Sequence, residues 1–267
     1  MLTMGIDIGS TTSKCVLLED GSRLAASALK IGGIGTQSPN EVVETLLHTA
    51  GVSRRDIAAV AATGYGRNRW EDADFQVSEL SCHGLGAHLI FPSVRTIIDI
   101  GGQDAKVISL NAQGKMQNFL MNDKCAAGTG RFLDVMASIL QIPVAQMASF
   151  AAKSTAPAAI SSTCTVFAES EVISQLANGV KREDLIAGIC ASVAGRVAAL
   201  AKRIPIVPQV CMSGGVAQNG GVRKALEQNL GTEILYSPHS QLFGAIGAAV
   251  YAWQKTSSAS SQVSTIF

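Results

Sequence analysis

Short apolar runs with strand character alternate along this chain with stretches of helical period, and one run occurs twice. Ile6-Asp7-Ile8-Gly9, followed by Lys14, returns as Ile98-Asp99-Ile100-Gly101, followed by Lys106. In each copy an acid interrupts an apolar strand pattern just before the glycine that ends it. The lysine stands five residues beyond that glycine both times. A second strand pattern follows, Lys14-Cys15-Val16-Leu17-Leu18 in the first copy and Lys106-Val107-Ile108-Ser109-Leu110 in the second. A turn closes each, at Asp20-Gly21 and at Asn111-Ala112-Gln113-Gly114. Third strands are predicted over 23–30 and 116–121. The chain therefore holds two related strand–loop–strand–turn–strand units.

Between and after them the pattern is mixed. Ser38 is expected to cap a helix, with Pro39 at the first position, Glu41 completing a capping box and Gly51 ending it. A strand over 57–62 opens into the loop Thr63-Gly64-Tyr65-Gly66-Arg67-Asn68, and a helix over 77–91 is stopped by Pro92. The second half predicts helices at 129–141, 144–152, 165–178, 182–203, 221–229 and 241–254. Short strands are expected around 158–162, 209–213 and 233–236. Strands mixed with helices in two similar halves predict an α/β protein of two lobes. The first lobe is drawn at 1–94 and the second at 95–240, with a C-terminal helix at about 241–255 returning to the first. Residues 256–267, rich in Ser, Thr and Ala, read as a disordered tail.

Composition narrows the function. The 267 residues are 47% hydrophobic, enough to bury a substantial core. A net charge of +1, with no Lys/Arg cluster, argues against nucleic acid or an acidic membrane as partner. No apolar run reaches the ~18 residues a membrane span requires. The N-terminus enters a strand almost at once, so no signal peptide is expected. Six cysteines in such a chain are too few for a disulfide scaffold and point to a reducing, cytoplasmic setting.

Gly9-Ser10-Thr11-Thr12-Ser13 offers small side chains, backbone N–H donors and hydroxyls, which suits oxyanions. Gly101-Gly102-Gln103-Asp104 offers the same permissive backbone with an amide and a second acid. A third glycine element, Met212-Ser213-Gly214-Gly215-Val216-Ala217, ends a strand and precedes a helix, where bare backbone admits a flat base or ribose. Gly244-Ala245-Ile246-Gly247-Ala248-Ala249 gives the last helix one smooth face for close packing. The chain has neither a G-x-x-x-x-G-K-[ST] loop nor a complete G-x-G-x-x-G.

This ordered set resembles the actin/Hsp70/sugar-kinase (ASKHA) superfamily, whose two lobes clamp ATP with Mg²⁺. The resemblance implies a two-lobed fold with duplicated three-strand units. It implies that Asp7 and Asp99 face the metal and that Gln103 or Asp104 orients the attacking water. Gly9, Ser10, Thr11, Thr12, Lys14, Gly101, Gly102 and Gln103 would then meet the phosphates, and Gly214, Gly215 and Gln218 the nucleoside side. Hydrolysis would rest on positioning and electrostatics rather than a covalent intermediate.

Two cysteines stand apart from the other four. Cys125 and Cys164 each lie in a small-residue loop just before a helix, where the helix dipole and unpaired N–H groups favour a thiolate. Cys15, Cys190 and Cys211 fall in strand or helix patterns and read as small buried hydrophobes, with Cys82 beside His83 left open. Two thiolates do not complete a cubane, which takes four, but a symmetric dimer would. Spacing alone leaves this open.

The motifs go further. Asn122-Asp123-Lys124-Cys125-Ala126-Ala127-Gly128-Thr129-Gly130-Arg131-Phe132, Thr163-Cys164-Thr165-Val166-Phe167-Ala168-Glu169-Ser170-Glu171 and Asp99-Ile100-Gly101-Gly102-Gln103-Asp104 resemble the activators (component A) of 2-hydroxyacyl-CoA dehydratases. That family includes the ATPase subunits of benzoyl-CoA reductases. Thr63-Gly64-Tyr65-Gly66-Arg67 and Gly214-Gly215-Val216-Ala217-Gln218-Asn219 match as well, and the resemblance covers residues 3–255. It implies a homodimer with one [4Fe-4S] cluster held by Cys125 and Cys164 of each subunit, with Gly128, Thr129 and Gly130 lying in the cofactor-binding segment. It also implies ATP/ADP binding with Mg²⁺, and electron transfer from a donor such as ferredoxin or flavodoxin to a dehydratase or related reductase. Glu169 and Glu171 read equally as surface acids or nucleotide contacts. The competing readings are a small-molecule kinase of the same fold and a nucleotide-gated scaffold without redox chemistry.

Overall fold

The computed structural model describes residues 1–161 and 164–263, with side chains described through residue 258. The elements begin with β1 (Leu2–Ile8), β2 (Thr12–Glu19), β3 (Arg23–Ile31), α1 (Ser38–Ala50), β4 (Ala59–Thr63), β5 (Phe75–Gln76) and α2 (Glu79–Ile90). Next come β6 (Thr96–Ile100), β7 (Ala105–Leu110), β8 (Met116–Asn122), α3 (Gly130–Ile139), α4 (Met147–Ala151) and α5 (Thr165–Ala177). The chain ends with α6 (Arg182–Ala201), β9 (Val210–Ser213), α7 (Gly220–Leu230), β10 (Ile234–Leu235) and α8 (Phe243–Val263). These fall into two compact units. The first comprises Met1–Val94, Leu110–Met116 and the chain from Leu242 onward, and the second comprises Arg95–Ser109 and Gln117–Gln241.

The duplication seen in the sequence extends beyond three strands. One sheet has the order β3-β2-β1-β4-β5 and the other, read from its opposite end, β8-β7-β6-β9-β10. β1 runs antiparallel to β2 and parallel to β4, as β6 does to β7 and β9. The register explains the repeated lysine. Asp7 pairs with Lys14 across one hairpin and Asp99 with Lys106 across the other, so each acid stands opposite its cation. The α/β class is as expected. The fourth and fifth strands are short and separated from the hairpins by helices, which hides their repetition from the sequence.

In the first unit Met4, Ile6, Cys15 and Leu17 pack on Val42 and Leu46 of α1. The opposite face meets α8, where Ala59 and Ala61 pack against Cys82, Ala248 and Ala252. Glycines set that second interface. A Cβ at Gly5 would overlap the carbonyl oxygen of Ala245, and one at Gly247 would overlap that of Cys82. The helices and strand thus touch through backbone, which no larger residue permits. Gly247→Ala is expected to destabilise the protein by about 1–3 kcal/mol. Gly195→Ala is the control: nothing lies near that position, so alanine there should be neutral or stabilising. Thermal unfolding of the two variants checks the pair.

The second unit buries Ile98, Ile100 and Val107 against Phe132, Leu133 and Met136 of α3 and a long apolar face of α6. α6 is the one described helix long and apolar enough by itself to cross a membrane. Leu185, Ile186, Ile189, Val193 and Val197 on it are buried in this core.

Four local expectations are corrected. Ser38 is not the cap of α1. Gln37 occupies that position while the Ser38 hydroxyl donates to Ile31 O, tying the helix to the end of β3. The helix expected over 144–152 is a 3-10 turn at Val144–Gln146 followed by the short α4. No strand forms over 158–161, where Ala158 N–H donates to Asp184 O and Ser161 N–H to the Glu171 carboxylate; Ser162 and Thr163 lie outside the described residues. The C-terminal helix runs to Val263 rather than giving way at Thr256. The Thr256 and Ser258 hydroxyls bond back within it to Ala252 O and Gln254 O.

Candidate functional site

In the first unit the β1–β2 loop is braced from beneath. Gly9 N–H donates to Thr12 O, Ile34 N–H to Gly9 O, and Gly32 N–H to Thr11 O. Ser10, Thr11 and Thr12 remain part-exposed, while Ser13 is buried with its hydroxyl on Gly32 O. Lys14 Nζ lies 3.1 Å from Asp7 Oδ2, and both side chains are largely buried. Glycines leave room around that carboxylate. A Cβ at Gly64, whose φ is +83°, would come within 2.5 Å of Asp7 Oδ1. One at Gly244 would lie 2.9 Å from Asp7 Oδ2 and 3.1 Å from His83 Nε2. The Thr63–Arg67 motif wraps the end of β1 through Gly66 N–H to Ile8 O, with Arg67 Nη1 donating to Gly64 O.

The second unit repeats this arrangement and tightens it. Lys106 Nζ bridges Asp99 Oδ2 at 3.3 Å and Asp104 Oδ2 at 2.7 Å, with all three side chains buried. Ser213 Oγ donates to Asp99 Oδ1 at 2.6 Å. Gly214, at φ +83°, packs so closely on the end of β6 that a Cβ would overlap Ile100 O and stand 3.0 Å from Asp99 Oδ1. The second and third glycine elements, both in this unit, thus converge on the end of β6. Gly130 N–H and Arg131 N–H donate to Gly101 O and Gly102 O, fixing the loop on the start of α3. Within it Gln103 is exposed and Asp104 is not. Gln218 is exposed and held by Tyr236 Oη and Pro238 O, and Gly215 lies beside Gln241. Thr129 is fully buried with its hydroxyl on Ala126 O, so it shapes the turn after Cys125.

The cysteines divide cleanly. Cys125 and Cys164 are exposed, and the other four are buried. Burial pushes the Cys82 and Cys190 thiols up to about 12 and raises those of Cys15 and Cys211 as well. Cys125 caps the 3-10 turn Ala126–Gly128, and Cys164 caps α5. Val166 and Phe167, in the first turn of α5, are 66% and 68% exposed, so an apolar surface flanks Cys164. Glu171 accepts from Ser161 N–H and Oγ, which ties Ser161 to α5. Two thiols per chain are half of a thiolate set for an iron–sulfur cluster, and their exposure leaves them open to a second copy. The donor chemistry fits such a group.

Sequence reasoning assigned no site role to Lys106 or Ser213, although both stand in its motifs, and did not single out Arg196. Lys106 was signalled by the repeat itself. Ser213 and Arg196 meet their partners only through the tertiary fold. Arg196 Nη1 donates to Ala127 O, and its guanidinium lies over the Phe132 ring at 5.5 Å.

The BadF/BadG/BcrA/BcrD ATPase family matches residues 4–252. The "(R)-2-hydroxyglutaryl-CoA dehydratase activating ATPase" of Acidaminococcus fermentans is 58% identical over 254 residues, covering 95% of this chain and 97% of that protein. The solved structure of the activator of the 2-hydroxyisocaproyl-CoA dehydratase from Clostridium difficile with bound ADPNP superposes at a TM-score of 0.96. It is 52% identical and covers 98% of both chains. A ROK family glucokinase from Streptomyces griseus shares the fold alone, with a TM-score of 0.56 at 15% identity over 95% of this chain and 100% of that one. With two sheets of one topology, a matching family over nearly the whole chain and a relative at this identity, the chain belongs to the BadF/BadG/BcrA/BcrD ATPase family.

Proposed function

We propose that this chain is an ATP-driven activator that delivers one low-potential electron to a 2-hydroxyacyl-CoA dehydratase or a related acyl-CoA reductase. The observation that carries the reading is the segregation of the cysteines: the two in the specific motifs are exposed at the starts of a turn and a helix, and the other four are buried. Cys125 and Cys164 of two copies would hold one [4Fe-4S] cluster, which when bound supplies a one-electron carrier. The exposed Val166, Phe167 and Ile173 support burial of this face in a homodimer. A ferredoxin or flavodoxin is the class of donor that supplies the electron.

The nucleotide's phosphates would be held by Gly9 to Thr12 with Lys14 and by the backbone of Gly101 to Gln103, and its base and ribose by Gly214, Gly215 and Gln218. Asp7 and Asp99 would hold Mg²⁺ directly or through water. Gln103 is the better candidate to orient the attacking water, because Asp104 is spent on Lys106 within the core. Gln103→Ala is expected to lower ATP turnover by about 10²-fold with little change in nucleotide affinity. Steady-state phosphate release together with nucleotide titration checks both halves.

The reading as a whole is tested by iron and acid-labile sulfide analysis of anaerobically reconstituted protein, with its mass from light scattering. It requires about four irons per dimer. Dimeric or monomeric protein that binds ATP but no iron would sink it and promote a kinase or scaffold of the same fold.

A further inference from the structure

α6 presents one cation, Arg196, to the segment that carries the cysteine motifs. Its Nη1 donates to Ala127 O at 3.0 Å, inside the turn that follows Cys125. Gly128 of that turn rests against the Cβ of Arg196, 3.7 Å from where its own Cβ would stand. The guanidinium lies over the Phe132 ring, so packing from α3 fixes its position. Partial burial lowers the guanidinium pKa, and Coulombic interaction with Cys125 and Cys164 opposes that. Both cysteines are exposed and Arg196 is part-buried, bonded into the turn that follows Cys125.

On the reading proposed above, we infer that Arg196 is a positioning residue that sets the reduction potential of the cluster held by Cys125 and Cys164. The reduction adds one electron, taken from the ferredoxin- or flavodoxin-class donor, to a group that four thiolates already make anionic. No bond is broken and no proton is required. A fixed positive charge nearby stabilises the reduced form more than the oxidised form, because the reduced form carries one more negative charge. Two copies of the chain bring two such cations, one to each pair of ligands. Arginine serves this role better than lysine in one respect: it keeps its charge when partly desolvated.

The test compares Arg196→Gln and Arg196→Lys with wild type in iron content and in the midpoint potential, read by EPR of anaerobic redox titrations. Arg196→Gln should retain the cluster and favour its reduced form at least about tenfold less, a shift of ~59 mV to more negative potential for one electron. Arg196→Lys should restore most of that shift. Failure of Arg196→Gln to hold iron while Arg196→Lys holds it overturns the inference, since the charge would then serve to retain the cluster rather than to set its potential. An unchanged potential in Arg196→Gln overturns the inference. So does an equal shift, or an equal loss of iron, in both variants, since the guanidinium would then only brace the turn at Ala127. Wild type without iron would instead overturn the proposed function itself.

Discussion

Alanine at Cys125, or separately at Cys164, is expected to yield colourless protein with no bound iron after anaerobic reconstitution. Each chain offers only these two exposed thiols, so either substitution removes two of the four ligands in a symmetric dimer. Half a ligand set does not hold a cubane, and the loss should be complete rather than graded. Cys82→Ala and Cys190→Ala are the contrasts. Their thiols are buried and pushed up to about 12, which disfavours the thiolate an iron site requires. Both should load iron as wild type does. ATP binding should survive in the Cys125 and Cys164 variants, because the glycine loops lie elsewhere in the chain. Iron analysis and the visible absorption of all four variants decide the matter. Iron retained in Cys125→Ala would remove that residue from the ligand set.

Replacing Lys106 by methionine is expected to be the most damaging single change to the fold. Its ammonium is shared by Asp99 at 3.3 Å and Asp104 at 2.7 Å, and all three side chains are buried. Methionine matches the length of the stem but leaves two carboxylates in the core without their shared cation. Breaking a buried pair in this way costs about 3–5 kcal/mol. For a protein of this size that is a fall in Tm of roughly 6–20 °C. Adding Asp104→Asn to the same chain should recover part of it, since one of the two stranded charges is removed. The repeat supplies an internal comparison. Lys14→Met, at the equivalent position, loses a cation with one carboxylate partner and a more exposed side chain, and should cost less. A Tm for Lys106→Met within a degree or two of wild type would mean the pair carries little of the stability assigned to it.

How much of this was legible in the sequence follows from the range of each interaction. The hairpins were readable because the acid and lysine stand at fixed spacing within strands of period two, and the register sets them opposite each other. The helices α5, α6 and α7 were readable from apolar periodicity, within a residue or two at most ends. β5 and β10 are two residues long, too short for any period, although β10 lay inside an expected strand. Ser38 misled because its local signal for a cap lost to a carbonyl at the end of β3. The tail misled because serine is a weak helix former, yet α8 continues through it to Val263.

At the candidate site, the glycine loops and both aspartates could be named from the repeat and the superfamily resemblance. The environment of each could not. That Asp104 is buried under Lys106 while Gln103 faces outward separates two neighbours the sequence treated alike. The contact of Ser213 with Asp99 joins residues 114 positions apart, and Arg196 meets Ala127 across 69. No local pattern encodes such pairs. Cys125 and Cys164 were singled out by their place before helices, but only the motif resemblance assigned them a cluster.

Whether ATP hydrolysis by this chain drives an electron out of it is read most directly in a single-turnover transfer. Iron-loaded protein would be reduced anaerobically, freed of reductant and mixed with a 2-hydroxyacyl-CoA dehydratase component, with Mg-ATP, with ADPNP or without nucleotide. Loss of the reduced-cluster EPR signal and phosphate release would be followed together. The account predicts rapid loss of the signal and release of phosphate with Mg-ATP, and neither with ADPNP or without nucleotide. Transfer at the same rate without nucleotide, or phosphate release with the cluster still reduced, would contradict it.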